Sequence, residues 1–259
     1  MIDVAVAGAT GKLGSMVCSL VREQKDMRLT GTVVSAEGGK AGQELFPGLR
    51  AVGPEGLEEL CGHCDVLVDV TNAAAAERNL PVAVRAGTNV VVGTTGLSPE
   101  FMAELRAAVA KGGRSAVVTP NFSIGVNVFW KVCQTLARAL PDYEVEIIEM
   151  HHDRKKDAPS GTAARAAQLI AAETGVERLV HGRQGMVGAR GREIGIHAVR
   201  AGDIVGEHTV MFVGNRERIE LTHKAHSRLA FAEGCLTAVR WVAPLRDGKV
   251  HGMEEVLGL

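Results

Sequence analysis

The residues able to do chemistry are crowded into one stretch, His151 to Ala163, which reads H-H-D-R-K-K-D-A-P-S-G-T-A. An imidazole such as His151 gives or takes a proton near neutral pH. Lys155, on the same stretch, adds a fixed positive charge or a second acid. Pro159-Ser160-Gly161-Thr162 offers a Ser or Thr cap, free backbone N–H groups and the positive end of a helix dipole. A helix start of that kind binds a carboxylate or another anion. An acid beside an anion clamp suits proton transfer to an acidic substrate. The same composition also suits a solvated basic loop ahead of an ordinary capped helix.

The flanking residues place this stretch between two elements. Val145 to Met150 alternates in the manner of a strand, and the Ala-rich run from Ala163 to Ile170 reads as a helix. The functional stretch is therefore a strand-to-helix loop.

A second candidate site opens the chain. Ile2 to Ala7 is an apolar strand, Gly8-Ala9-Thr10-Gly11-Lys12-Leu13-Gly14 follows, and a helical run through Met16, Val17, Leu20 and Val21 leads to a strand over Leu29 to Val34. Strand, Gly-rich turn, helix and strand make a dinucleotide-binding unit. Gly8 permits the tight turn. Ala9, Thr10 and Gly11 are small enough for a pyrophosphate to approach the backbone, and Gly14 lets the helix sit close to the strand. The helix N-terminus then holds the phosphates. The carboxylate that would bind the ribose of NAD at the end of the second strand is missing. Ser35 and Ala36 stand there, with Glu37 and Lys40 beyond, so NADH and NADPH both stay open as the cofactor.

The alternation continues. Val66 to Val70 is an apolar run fit for a strand buried on both faces. Ala73 to Ala86 reads as a helix, Val90 to Val92 as a strand, Phe101 to Ala110 as a helix and Ala116 to Val118 as a strand. Gly93-Thr94-Thr95 and Thr119-Pro120-Asn121-Phe122 follow strand C-termini, where a doubly wound sheet binds its ligand. Turn chemistry alone would also favour these residues there. Beyond Phe122 the texture changes. Ser123 to Leu140 is a long helix, and Gly182 to Gly191 is a Gly-rich, mobile loop with Arg183 and Arg190. Glu193 to Arg200, Glu207 to Val213 and Glu217 to Ala225 are three strands joined by short turns. The expected fold is α/β: a Rossmann-like doubly wound parallel sheet plus a second α+β domain with an open, mostly antiparallel or mixed sheet. Residues 1–122 and 233–259 form the dinucleotide-binding domain in this reading. Residues 123–232 form a substrate-binding and oligomerisation domain.

Bulk properties narrow the function classes. With 259 residues, a net charge of −1 and 23% charged residues, the chain is an ordinary globular protein, not a polyanion binder. No apolar run is long enough for a bilayer, and Asp3 interrupts the N-terminal apolar run without a basic segment before it. A soluble cytoplasmic protein without nucleic-acid or membrane partners is expected. Cys61-Gly62-His63-Cys64 has the spacing of a dithiol motif, but it follows a short helix (Pro54 to Leu60) instead of opening one. No second ligand pair for zinc stands at suitable spacing, and no metal is expected.

Taken together, GATGKLG, VVVGTTG, TPNFSIGVNV, EIIEMHHDRKKDAPSGTA, HAVRAGDIVGEHTV and ELTHKAHSR resemble the 4-hydroxy-tetrahydrodipicolinate reductase (dihydrodipicolinate reductase) family of lysine and diaminopimelate biosynthesis. The segments run in the family's order over nearly the whole chain, and Glu149 to Ala163 is the most specific. The resemblance implies hydride transfer from NADH or NADPH to a cyclic dicarboxylate, with the proton supplied by the enzyme. It puts His151 in the place of the proton donor and Lys155 in that of its partner. His152, Gly161 and Thr162 match substrate-binding positions. Gly8 to Leu13, Gly93 to Thr95 and Thr119 to Phe122 match cofactor contacts, and a homotetramer is implied. Ser35 in place of an acid, Lys12 where arginine is frequent, Thr119 where alanine is common and Thr71-Asn72-Ala73 without a proline depart from the pattern. Two rivals remain: another two-domain nicotinamide-dependent dehydrogenase acting on an amino acid, and a non-catalytic dinucleotide sensor. Neither has use for the His151–Thr162 segment.

Overall fold

A computed structural model describes every residue from Met1 to Leu259. The chain divides into two compact units, Met1–Ile124 with Leu229–Leu259, and Gly125–Arg228.

The first unit is built on six strands: β1 (Ile2–Ala7), β2 (Met27–Val33), β5 (Val66–Asp69), β6 (Asn89–Val92), β7 (Ala116–Val118) and β13 (Val250–His251). They are ordered β13-β7-β6-β5-β1-β2, and every pairing is parallel. Alternate residues of each strand feed opposite cores. Val4, Val6, Val66 and Val68 pack with helices α1 (Lys12–Glu23) and α7 (Leu229–Val242). Ala5, Ala7, Leu67 and Val90 pack with α2 (Leu57–Cys61), α3 (Ala73–Arg85) and α4 (Pro99–Gly112). Both faces being covered is why these strands are apolar without alternation. Local signals set the helix starts. The Asn72 side chain accepts from Ala75 N at 3.1 Å, and the Ser98 hydroxyl accepts from Phe101 N at 3.1 Å ahead of Pro99. The C-terminal tail supplies β13 and α8 (Met253–Leu257) to this unit.

The second unit pairs helices α5 (Ile124–Ala139, which begins at the unit boundary) and α6 (Gly161–Thr174) with a five-stranded mixed sheet. The strands are β8 (Glu144–His151), β9 (Leu179–His181), β10 (Ile194–Arg200), β11 (Glu207–Val213) and β12 (Arg218–Lys224), in the order β12-β11-β8-β10-β9. Val145, Ile147, Val210, Phe212, Ile194 and Ile196 point to the helices and form its core.

Here the arrangement differs from a run of three neighbouring strands. β10 pairs in parallel with β8, β11 pairs antiparallel with β8, and so β8 lies between them. Residues 201–206 must then arch over the end of β8. Ala201 N donates to His151 O at 2.9 Å and Asp153 N donates to Gly202 O at 3.1 Å. Alternation marks a strand but not its neighbour, so this crossing was not legible in the sequence. The short β3 (Glu44–Phe46), β4 (Leu49–Arg50) and β9 escaped reading too. The Gly182 to Gly191 segment lacks regular structure, yet Arg183 and Arg190 tie it to Glu146 on β8 at 2.9 and 3.2 Å.

Candidate active site

In the first unit the Gly-rich turn is shaped by close approach. Gly8 has φ +85°, which only glycine adopts freely, and a Cβ there would lie 2.7 Å from the Val70 carbonyl oxygen. A Cβ on Gly14 would lie 2.1 Å from the Gly8 carbonyl oxygen, so α1 touches the turn backbone to backbone. Gly8, Thr10, Gly11 and Ser35 line a cavity of about 560 Å³ at the C-terminal edge of the sheet. A dinucleotide fits such a place: small residues, an approaching helix start and room for a nucleoside. Ala9 is buried against the core, Lys12 and Leu13 open α1, and Leu13 packs on the α1 side of the sheet.

The other predicted cofactor residues lie outside the lining of this cavity. Thr94 is buried and donates its hydroxyl to Asp69 Oδ1 at 2.8 Å, and its neighbours Gly93 and Thr95 lie in the loop after β6. Thr119 uses its hydroxyl within its own loop, donating to Asn121 O at 2.8 Å across Pro120. Phe122 is a core residue, pressed between Gly93 and Gly234, where added Cβ atoms would collide with it. Sequence reasoning missed Asp69. Its carboxylate is wholly buried and receives Thr71 Oγ1 (2.7 Å), Thr94 Oγ1 and Asn79 Nδ2 (3.0 Å). Those bonds clamp β5, the loop after β6 and α3 together at the crevice. The apolar run ending one residue later hid that role.

In the second unit the predicted acid sits on a buried ion cluster. Glu149, with no solvent exposure, points inward one pleat before His151. Its Oε2 meets His151 Nδ1 at 2.6 Å, its Oε1 accepts from Ser160 N at 2.9 Å, and Arg200 grips both oxygens at 2.8 and 2.7 Å. Burial alone would raise the Glu149 carboxyl, but Arg200, His151 and the Ser160 N–H together hold it below the usual range. Burial pushes the His151 imidazole below its ordinary value. Glu149 opposes that push, and the charges of Lys155 and Arg200 add to it. With Nδ1 engaged by Glu149, Nε2 is the ring atom left for a substrate, on the side where Gly206 passes so close that a Cβ would be 3.0 Å away.

The remaining predicted residues gather nearby. Ser160 caps α6, its Oγ accepting from Ala163 N at 3.2 Å. A Cβ on Gly161 would meet nothing within 4 Å, so the first turn of α6 is open there, and Thr162 O is fixed by Trp130 Nε1 at 3.0 Å. Lys155 is paired with Asp157 at 2.8 Å and holds that carboxyl low. His152 Nδ1 is buried without a hydrogen-bond partner. Sequence reasoning also missed His208, which meets the Ser160 hydroxyl at 2.9 Å and stands edge-on to His151 with ring centroids 5.2 Å apart. Burial, and then the charges of His151 and His223, lower its imidazole to about 3. Glu149, Arg200 and His208 come from three strands, and only their pairing beside β8 brings them together.

No group of three or more His, Cys, Asp or Glu side chains is placed to hold a metal ion. Cys61 and Cys64 are free, Cys61 being buried at the C-terminal end of α2.

The comparisons with known proteins match both units. The N-terminal model of dihydrodipicolinate reductase matches residues 2–122 and the C-terminal model matches residues 125–257. The chain belongs to the dihydrodipicolinate reductase family. It is 48% identical over 265 residues to the 4-hydroxy-tetrahydrodipicolinate reductase of Methanosarcina barkeri, covering all of both chains. It is 46% identical to that of Methanothermobacter thermautotrophicus, again covering both chains in full. A solved dihydrodipicolinate reductase with dipicolinate bound, from Paenisporosarcina sp. TG-14, superimposes with a TM-score of 0.82 at 28% identity, covering 98% of this chain and 99% of that one. An engineered D-amino acid dehydrogenase bound to NADP+ shares the fold alone, with a TM-score of 0.59 at 15% identity over 98% of this chain and 93% of that one. The reductase family thus accounts for both units at once, and a rival that shares only the fold explains less.

Proposed function

We propose that His151 delivers the proton with Lys155 as its catalytic partner, and that His152, Gly161 and Thr162 hold the carboxylates of a cyclic dicarboxylate. The activity is that of an NAD(P)H-dependent 4-hydroxy-tetrahydrodipicolinate reductase of lysine and diaminopimelate biosynthesis. The observation that carries the residue roles is the 2.6 Å contact of His151 Nδ1 with a carboxylate that has no solvent exposure. That contact orients the ring and favours its protonated form, as a general acid requires.

A bound dihydronicotinamide supplies the hydride. Loss of the 4-hydroxyl as water gives the ring a conjugated double bond; hydride addition to that bond leaves an electron-rich, nitrogen-conjugated system, and His151 Nε2 hands its proton to it. Glu149 stabilises the imidazolium before transfer and keeps Nδ1–H after it. The open first turn of α6 and the Lys155 ammonium offset the substrate's negative charge. The Gly8–Leu13 turn and Ser35 hold the coenzyme's phosphates and ribose, with Gly93–Thr95 and Thr119–Phe122 shaping the crevice behind them. Ser35 repels no 2′-phosphate, so both coenzymes serve. A dipicolinate-bound relative supports a cyclic dicarboxylate as ligand. A cytoplasmic location follows from this biosynthetic role, and no helix is long and apolar enough to cross a membrane.

The test is NADH and NADPH absorbance with enzymatically generated substrate. Oxidation that depends on that substrate is expected with both coenzymes. Oxidation with keto acids plus ammonia, or binding without turnover, would replace this reading with a dehydrogenase or a sensor.

The second unit also supports self-association. α5 and α6 cover the sheet face that carries Ile147 and Val210. The other face carries Ile148, Met150, Met211 and the exposed Val199 between polar residues such as Glu146 and Thr209. A partner copy covering that face removes apolar area from water. Light scattering at micromolar concentration is expected to give a homo-oligomer, with the tetramer implied by the family resemblance; a monomer mass counts against it.

A further inference from the structure

Resting on the reading of the first unit as the coenzyme-binding one, we propose that Arg78 recognises a 2′-phosphate on the adenine ribose and so makes NADPH an effective coenzyme. Arg78 lies on α3, on the wall of the same cavity that Ser35 lines. Glu37 and Arg78 are the only charged residues of that wall, and Arg78 is its single cation. Lys40 and Lys12 do not line it.

The position is built, not incidental. Asn72 caps α3 through Ala75 N, and the next residue after Arg78, Asn79, is buried and donates to Asp69 Oδ2 at 3.0 Å. These two anchors bracket Arg78 and present it on the exposed side of the helix. No hydrogen bond or ion pair engages its guanidinium, and it forms no ion pair with Glu37 across the cavity. Its donors are therefore available without breaking an existing contact. A guanidinium offers a planar fork matched to phosphate oxygens, and a phosphate contact of this kind is charge-assisted.

The two charges give the cavity opposed preferences. Arg78 attracts the 2′-phosphate, Glu37 repels it and can accept from ribose hydroxyls, and Ser35 is neutral toward both. Discrimination between the coenzymes is then a small difference between two larger effects. Removing either charge should expose the other.

Equilibrium binding decides this without turnover. Dissociation constants for NADH, NADPH, 5′-AMP and 2′,5′-ADP are measured by calorimetry on the full chain and on Arg78→Gln, Arg78→Lys and Glu37→Gln. Arg78→Gln is expected to weaken NADPH and 2′,5′-ADP about tenfold or more, while NADH and 5′-AMP move less than about twofold. Arg78→Lys should fall between, since it keeps charge and loses the fork. Added salt should weaken NADPH binding in the wild type, and much less in Arg78→Gln. Glu37→Gln should tighten NADPH relative to NADH. Equal losses for both coenzymes, or no loss for either, would overturn the assignment. A wild-type chain that binds none of the four nucleotides would instead overturn the coenzyme-binding reading itself.

Discussion

His151→Gln is expected to lower kcat by about a hundredfold or more, with coenzyme dissociation constants within about twofold of wild type. The imidazole is in the second unit, while the Gly-rich turn belongs to the first. Glutamine keeps a polar side chain of similar reach but cannot carry a proton at neutral pH. The pH dependence should bear the same signature. A general acid must be protonated, so kcat/KM falls as pH rises through the His151 value of the free enzyme. Burial has set that value below the ordinary imidazole range, and the falling limb should begin below it. Bound carboxylates favour the imidazolium, so the limb in kcat should lie at higher pH. Steady-state rates from pH 5 to 9 check both points. An unchanged kcat in His151→Gln, or limbs in the reverse order, would remove His151 from the role of proton donor.

Glu149→Gln should damage both activity and stability, through different partners. Toward His151, Glu149 is a positioning residue: the carboxylate fixes Nδ1 at 2.6 Å and favours the charged ring. An amide there favours neither, so the falling limb of kcat/KM should shift to lower pH. Outer partners of functional histidines in metal sites carry roughly 10- to 100-fold in activity, and a loss of that order is expected at pH 7.5, smaller at pH 6. A merely structural role would lower activity at every pH without moving the limb. Toward Arg200, the substitution leaves a guanidinium, with its side chain 19% exposed, facing a neutral group. Breaking a buried pair from one side costs about 3 kcal/mol, read as a lower urea midpoint. Glu149→Asp keeps the charge and should recover part of the pH profile even if it fails to recover the midpoint.

The same cluster sets acid sensitivity. Glu149 has a folded value below the unfolded one, so its contribution is present above the unfolded value and is lost as pH falls through the folded one. His151 and His208 are also lowered, His208 to about 3. The unfolded chain takes up protons at these histidines first. Stability therefore declines as pH drops below the ordinary imidazole value, before the carboxylates titrate.

Much of this was legible from residue order, because periodicity and turn chemistry act over short distances. The near-continuous apolar runs at Val66 and Val90 announced strands covered on both faces, and the two layers of packing on β5 and β6 bear that out. Gly8 and Gly14 announced a turn in close contact with a helix, and the steric collisions at both positions explain why. Pro-Ser-Gly-Thr announced a capped helix, which begins at Gly161. The mixed sheet of the second unit also matches its sequence texture.

Strand neighbourhood was different, since side-chain alternation is the same whichever strand lies alongside. Only the tertiary structure put β8 between β10 and β11, and with it Arg200 and His208 on either side of Glu149. A buried carboxylate two residues before a histidine reads in sequence as one more polar residue in a strand. It becomes the base of the site only when a distant arginine offsets its desolvation. Arg78 was equally silent, being an ordinary charge on a helix until the fold placed it on the wall of the cavity that Ser35 also lines. Local order determined which groups could act, and long-range pairing decided which of them face one another.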